Sequence, residues 1–301
     1  VRGSTAQQTA VVWNGVNINN PMLGQSDVSL VPIGFFDDIS LQKGALSGYW
    51  GSGAMAGVLN LRSGTQNKGL SIKAGSAYST LQNFTQWASA DLSFGKWTSS
   101  TKIRADLSAN KYLFYEDADS LIVETQSHAQ SRQYAFMQEL ALKISERQQV
   151  GLHIWLQDAQ RQVPYTLQER KQDAEQRDKI LRSVLDWKLL REKYSLTARG
   201  AFIREGLHYK NATYSINSES IFNTSLLDME AQFYLPKGFS ITAGSNNSLS
   251  SAISAGYEEQ KQMSRTALFE NISWRYKKLN ASLYGRQELF DSKTFVPTGG
   301  L

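Results

Sequence analysis

From Gly69 onward, apolar and polar residues alternate with a period of two. Phe84, Ala88, Ala90, Leu92 and Phe94 fall on one side of this alternation, and Asn83, Thr85, Ser89, Asp91 and Ser93 on the other. Ile103, Ala105, Leu107 and Ala109 oppose Lys102, Arg104, Asp106, Ser108 and Asn110 in the same way. Val150, Leu152, Ile154 and Leu156 make another apolar face, and Leu181, Ser183, Leu185, Trp187 and Leu189 stand against Arg182, Asp186 and Lys188. The period recurs at Leu227, Met229, Ala231, Phe233 and Leu235, and again at Ala281, Leu283, Gly285 and Leu289. Successive side chains of a strand point to opposite faces, so the pattern predicts strands with one apolar and one polar face. About eleven such segments fit before Leu301, each of about ten residues or more, enough to cross a bilayer at a tilt.

The connections carry a second pattern. Phe94 to Trp97, Ser145 to Gln149, Leu190 to Lys193, Pro236 to Gly238 and Lys277-Lys278 read as tight turns. Between them fall polar stretches at Glu116 to Ser131, Gln160 to Lys179, Lys210 to Ser220 and Leu249 to Gln262, which read as long connections. Short and long alternate, as they do in outer-membrane barrels with short periplasmic turns and longer outer loops. Tyr112, Phe114, Tyr115, Tyr194, Phe202, Tyr234, Phe239, Trp274 and Tyr276 are placed near strand ends. Interfacial girdles put aromatics there, but any strand favours them. The charged run Glu169 to Lys179 is read as a solvated face, with a short loop helix as the alternative. No stretch is apolar for the eighteen or so residues of a spanning helix, which excludes a helical membrane protein and leaves a barrel open.

The N-terminal part is built differently. An alternating strand around Ile39 and Leu41 runs into Gly44; a cluster of Gly48, Gly51, Gly53 and Gly57 then precedes the apolar run Val58 to Leu61. This is strand, glycine-rich turn, strand. Gly51, Gly53 and Gly57 also form a GxGxxxG, but a phosphate-cradling loop needs a helix N-terminus directly after it. Val58-Leu59-Asn60-Leu61 reads as a strand instead.

These residues carry a resemblance. Val1-Arg2-Gly3, Val11-Val12-Trp13-Asn14-Gly15-Val16 and Asp27-Val28-Ser29-Leu30-Val31-Pro32 come in order, followed by Ile39 to Gly44 and then Trp50-Gly51-Ser52-Gly53-Ala54-Met55-Ala56-Gly57-Val58-Leu59-Asn60-Leu61. Together they resemble the plug domain of TonB-dependent outer-membrane receptors. The chain departs from that family's usual pattern at Asn14 (Asp), Ser40 (Glu), Lys43 (Arg), Ala45 (Pro) and Trp50 (Tyr). Lys43 is a point charge that cannot make Arg's planar bidentate contact.

The resemblance implies an all-β membrane protein: a partial plug over 1–66, then the first part of an antiparallel transmembrane β-barrel over 67–301. About eleven strands would be half of a barrel of about 22. An isolated half would leave open edges that lipid cannot satisfy, so the chain is expected to be an internal piece of a longer protein. The implied location is the outer membrane of a Gram-negative bacterium, as a monomeric barrel in contact with lipid. TonB, with ExbB and ExbD in the inner membrane, would be the energising partner, and the ligand a small molecule or metal chelate. Plug–barrel anchoring is expected from Arg2 and Lys43, with Gly44, Gly51, Gly53 and Gly57 as structural glycines. The plug apices of the family map onto Ser4 to Gln8 and Asn19 to Gln25. There Thr5, Gln7 and Gln8 offer hydroxyl and amide groups, and Pro21, Met22 and Leu23 offer apolar surface. These are the expected ligand-binding residues, the alternative being that Met22 and Leu23 pack on the barrel wall.

Composition changes little. The 301 residues are 41% hydrophobic with a formal net charge of +5 spread along the chain, so no nucleic-acid partner is inferred. With no cysteine there is neither a disulfide framework nor a thiolate metal site. His128, His153 and His208 are far apart in sequence and show no metal-ligand spacing. His153 is read as structural, or else as a lumenal ligand or acid. Asp117 and Asp119 lack the rest of an EF-hand loop. No nucleophile motif is present, so neither an enzyme nor a bound cofactor is expected. Three functions stand: an energy-coupled importer of a scarce solute (siderophore, haem, cobalamin, oligosaccharide or similar), a passive porin or structural barrel, and an outer-membrane enzyme with a lumenal site. The plug resemblance favours the importer.

Overall fold

Asn14 and Gly15 both hold positive φ, at 47° and 84°, as a two-residue hairpin turn requires. They reverse β1 (Thr9–Trp13) into β2 (Val16–Asn17), with Trp13 opposite Val16. β3 (Asp38–Lys43) leads through the short helix α1 (Ser47–Trp50) and a 3-10 turn to β4 (Gly57–Arg62). β4 lies between β3 and β1, antiparallel to the first and parallel to the second, in a sheet of order β2-β1-β4-β3. Central β1 is buried on both faces, so it reads as an apolar run rather than an alternation. Ala10 and Val12 pack with Ala54 and Val58 on one side, while Val11 and Trp13 face the large wall described next.

The computed structural model describes residues 4–44, 47–64, 69–115, 123–126, 128–164, 173–291, 293–295 and 297–300. Most of the described residues that follow form one thirteen-stranded antiparallel sheet. It runs through β5 (Gly69–Ser79), β6 (Asn83–Phe94) and β7 (Trp97–Ser108), then past a small separate hairpin of β8 (Leu113–Tyr115) and β9 (Val123–Thr125). It resumes with β10 (Ser131–Ser145), β11 (Gln148–Val163), β12 (Ala174–Leu190), β13 (Tyr194–Asn211) and β14 (Ile216–Tyr234). β15 (Phe239–Ser254), β16 (Lys261–Tyr276), β17 (Leu279–Phe290) and the short β18 (Lys293–Thr294) and β19 (Thr298–Gly300) complete it. Eleven strands are long, from 11 to 19 residues, each beside its neighbour in the sheet path, and among the described residues β5 does not pair back to the far edge.

The faces of this sheet are inverted relative to a soluble protein. Lys102, Arg182, Asp186, Asp228 and Arg286 retain 3 to 7% exposure, whereas Ile103, Leu185, Leu227, Leu268 and Leu283 retain 45 to 57%. The polar set points to the side covered by the small sheet, and the apolar set is bare. Ionisable residues are almost never buried unless paired, and a continuous bare apolar face is what a lipid-facing wall presents. Among the described residues no helix is long and apolar enough to cross a membrane. The expected all-β, partial-barrel architecture with an N-terminal plug sheet is therefore what the chain folds into.

Several local expectations are corrected. Lys210 to Ser220 is not a long connection: β13 and β14 continue to a four-residue turn, with Asn211 opposite Ile216. Leu249 to Gln262 shrinks likewise, because β15 runs to Ser254 and β16 starts at Lys261. Polar residues here belong to strands because they line the covered face, and polarity alone does not separate such a strand from a loop. From Ala174 the charged run is β12, while 165–172 lies outside the described residues, as do Asp117 and Asp119. Phe202 sits in the middle of β13, not at its end. Tyr112, Phe114 and Tyr115 lie in and beside the separate β8–β9 hairpin, at the long-connection end; Tyr194, Tyr234, Phe239, Trp274 and Tyr276 gather at the short-turn end, where Trp274 and Tyr276 stack at 5.9 Å and Phe239 lies 6.0 Å from Trp274.

Candidate functional site

The plug sheet is fastened to the wall by one apolar contact and a ring of polar ones. Trp13, Val16, Ile18, Phe35 and Leu61 pack on Ala135, Met137, Trp155, Val184 and Ile203 of β10 to β13. Around this patch, Lys102 Nζ donates to the Phe35 carbonyl at 2.6 Å and pairs with Asp37 at 3.1 Å. Gln133 and Gln157 each donate to the Leu30 carbonyl at 2.8 Å. Arg161 pairs with Asp27 at 3.0 Å. Burial of Asp27 favours the neutral acid, but hydrogen bonds from Ser29 and the Arg161 guanidinium outweigh it and hold the carboxyl below its ordinary value.

Toward the short-turn end, His153 lies between Glu139 and Asp186, 2.9 Å from each. Asn14 and Ser63 of the plug both donate to the same Glu139 oxygen. His153 therefore belongs to a plug–wall contact, joined to Asn14 and Ser63 of the plug through Glu139.

At the opposite end the two apical loops meet. Asn20 folds its loop by accepting from the Met22 and Leu23 amides at 3.0 and 3.2 Å. Gln7 Nε2 donates to the Leu23 carbonyl at 3.2 Å, tying the first apex to the second. The Thr5 amide donates to Gln8 Oε1 at 3.2 Å, and the Gln8 carbonyl accepts from Ala56. Tyr257, in the connection between β15 and β16, donates to Met22 Sδ at 3.4 Å. Below these loops lies a cavity of about 320 Å3 between plug and wall, with Gln7, Asn20 and Pro21 on one side and Glu205, Asn246 and Arg265 on the other. Of the six apex residues singled out in the sequence, Gln7 and Pro21 line it; Met22 and Leu23 are exposed beside it, Thr5 is exposed, and Gln8 is half-buried.

The wall side of this cavity was not foreseen. Asn20 donates to Glu205 at 2.7 Å, and Glu205 also accepts from Arg182 at 2.7 Å. Arg265 and Arg286 converge on Glu288 at 2.6 and 2.5 Å. Arg286 also donates to Asn246 and to the Tyr49 carbonyl, at 2.9 and 3.1 Å. The available signal was a charged residue in mid-strand on the polar face, as at Arg182, Glu205 and Arg286. Trp50 of α1 lines this cavity and also a second one of about 600 Å3 further down the plug–wall seam. In that lower cavity Tyr49 Oη donates to Glu230.

Of the expected anchors, Arg2 lies outside the described residues, and Lys43 is exposed on the edge strand β3. The glycines Gly44, Gly51 and Gly57 hold positive φ, and Gly53 sits within the 3-10 turn. At Gly51 a Cβ would stand 2.4 Å from Arg265 Nη2, so the plug backbone approaches the wall closely there.

Residues 1–58 match the family model of the TonB-dependent receptor plug domain. The chain is 39% identical over 61 residues to the vitamin B12 transporter BtuB of Photobacterium profundum, covering 20% of this chain and 10% of that protein. Against the BtuB of Vibrio cholerae it is 30% identical over 77 residues, covering 25% and 13%. Among solved structures it superposes on the FrpB iron transporter of Neisseria meningitidis with a TM-score of 0.78 at 10% identity, over 100% of this chain and 54% of that one. The copper transporter OprC superposes with a TM-score of 0.75 at 13% identity, over 100% and 52%. The chain thus spans about half the length of those structures, which share its fold, and the matched stretches are about a tenth of the sequence relatives. Residues 1–58 are thus similar in sequence to the plug domain of TonB-dependent receptors, and the chain as a whole shares the plug-and-barrel fold of the superposed transporters.

Proposed function

We propose that this chain is part of an outer-membrane receptor for high-affinity, TonB-energised uptake of a scarce solute, a siderophore, haem, cobalamin or similar compound. One observation carries the reading: the plug sheet is fastened to the concave face of the wall by the Trp13–Trp155 contact and by Lys102, Gln133, Gln157 and Arg161. A plug held by a buried aromatic contact and this ring of polar ones blocks free diffusion and needs work to move it. In the outer membrane that work has to be relayed from the inner membrane, through TonB with ExbB and ExbD. Residues 1–66 act as the plug and 67–301 as barrel, in a monomeric barrel embedded in outer-membrane lipid. Thr5, Gln7, Gln8, Pro21, Met22 and Leu23 form the floor on which the ligand lands. Gly44, Gly51, Gly53 and Gly57 shape the plug turns, and Arg2 and Lys43 add to its anchoring.

The test is accumulation of a panel of labelled iron chelates and vitamin B12 in isogenic cells with and without TonB. Uptake that collapses without TonB supports the reading. Unchanged uptake, or solute-independent conductance of the purified protein in planar bilayers, would favour a passive pore.

A further inference from the structure

We infer that the short-turn end of the wall is a docking collar for anionic phospholipid, its lysines and arginines binding the headgroup phosphates of the leaflet beside those turns. The inference concerns the wall's contact with lipid and does not depend on which solute the receptor takes up, or on whether it takes one up.

Five hairpins turn at this end: β6–β7, β10–β11, β12–β13, β14–β15 and β16–β17. Thirteen residues lie between their strand ends, and seven of them are basic. Lys96 is in the first turn, Arg147 in the second, and Arg191 and Lys193 are in the third. Lys237 follows in the fourth, and Lys277 and Lys278 make up the last. Two acids, Glu146 and Glu192, offset them. On the opposite side, the segments between strand ends of the large sheet are 80–82, 109–130, 164–173, 212–215 and 255–260. Their sequence holds three Lys or Arg against eight Asp or Glu. Charge that is spread along the sequence is thus sorted by the fold into a basic rim and an acidic one.

The basic turns are joined into an arc. The Lys143 amide donates to the Lys96 carbonyl at 2.9 Å, the Leu190 amide to the Arg147 carbonyl at 2.8 Å, and the Tyr234 amide to the Lys193 carbonyl at 2.8 Å. Each hairpin abuts the next, and the cations follow the wall as a row. Six of the seven are exposed and Arg191 is half-buried. Among the described residues none of them forms a salt bridge. Unpaired like charges side by side repel, and their summed field draws anions to the arc.

The surface next to the arc selects lipid as the partner. Leu268, Ile272, Trp274 and Tyr276 share one face of β16, where Leu268 keeps 57% exposure and Tyr276 52%. Phe239 of β15 stands opposite Trp274, which stacks on Tyr276. Lys277 Nζ lies 5.3 Å from the centre of the Tyr276 ring, so this cation is carried at the end of the bare apolar face itself. Apolar band, aromatic ring and cation come in the order of acyl chain, interface and phosphate in a bilayer. A soluble acidic protein would match the charge but would leave the apolar band beside it uncovered.

The test uses the full-length receptor reconstituted in phosphatidylcholine bilayers. Chain-spin-labelled phosphatidylglycerol and phosphatidylcholine are compared by electron spin resonance of the lipid held at the protein surface. Phosphatidylglycerol should be preferred about threefold or more at low salt. The preference should fall toward unity at about 1 M salt, where charges are screened within about 3 Å. A variant with Lys193→Gln, Lys237→Asn, Lys277→Asn and Lys278→Gln, using Asn at the two positions of positive φ, should lose at least about half of the preference. Its heat-modifiable gel mobility should stay normal. Neutralising four lysines toward the other end instead, with Lys179→Gln, Lys210→Gln, Lys261→Gln and Lys293→Gln, should leave most of the preference in place. The inference is overturned if the wild type shows no preference, or if the preference survives in the turn variant and disappears in the other. Soluble polyglutamate binding to the wild type but not to the turn variant, without any lipid preference, would also overturn it and assign the collar to an acidic protein.

Discussion

Trp13 of the plug and Trp155 of the barrel wall meet edge to face, with ring centroids 5.6 Å apart and both side chains wholly buried. Phe36 approaches the same Trp155 at 5.6 Å, and the Arg182 guanidinium lies 4.5 Å above its ring. One wall residue thus gathers an aromatic, a cation and the plug core. Trp155→Ala should cost about 3–5 kcal/mol of plug docking, the usual range for deleting a buried aromatic. Heat-modifiable gel mobility should remain normal, since the ladder of β11 is untouched, while hydrogen exchange in β1 should accelerate. Unchanged exchange there would mean that the polar ring alone holds the plug.

The Asp27–Arg161 pair fastens the turn that follows the second apical loop. With its carboxyl held below the ordinary 3.8, Asp27 contributes stability that is fully present above that pH and is lost as pH falls through the lower folded value. The pair is partly exposed, so the effect should be small and salt-sensitive. Hydrogen exchange around Asn19 to Ser29 should rise on acidification below about pH 4 in the wild type. In Asp27→Asn it should already be raised at neutral pH and should not respond to acid through this pair.

Gly51 holds φ at 85°, and a Cβ there would displace Arg265 from Glu288. Gly51→Ala should destabilise the plug by about 2 kcal/mol, from the left-handed backbone and the broken ion pair together. Gly64→Ala, with nothing within 4 Å of the added Cβ, is the control and should be close to neutral. Thermal unfolding followed by near-ultraviolet circular dichroism would compare the two.

Trp50 separates the upper cavity from the lower one along the plug–wall seam. Trp50→Ala should join them and raise the single-channel conductance of the receptor in planar bilayers, with Trp50→Phe intermediate. Equal conductance in all three proteins would place the barrier elsewhere on the seam.

The alternation from Phe84 to Leu289 was enough to establish the strands, their number and which side chains share a face, because a strand's period of two is a local property of the backbone. The Asn14-Gly15 turn and the glycines before Val58 were legible for the same reason: positive φ is a demand that one residue type meets best. Sequence did not reveal which face is inside. Lys102 and Arg182 look like solvent residues until the plug is seen to cover them, and burial is decided by what lies across the lumen. The same holds for strand ends. The polar stretches at Lys210 to Ser220 and Leu249 to Gln262 read as loops, yet the ladder carries β13 to β16 through them, since polar residues are at home on a covered lumenal face. Gln7 and Pro21 could be named from the plug motif, whereas Glu205, Asn246 and Arg286 come from three separate strands. Only the shear and curvature of the sheet bring those three to one cavity, and these are set by the pairing of many strands at once.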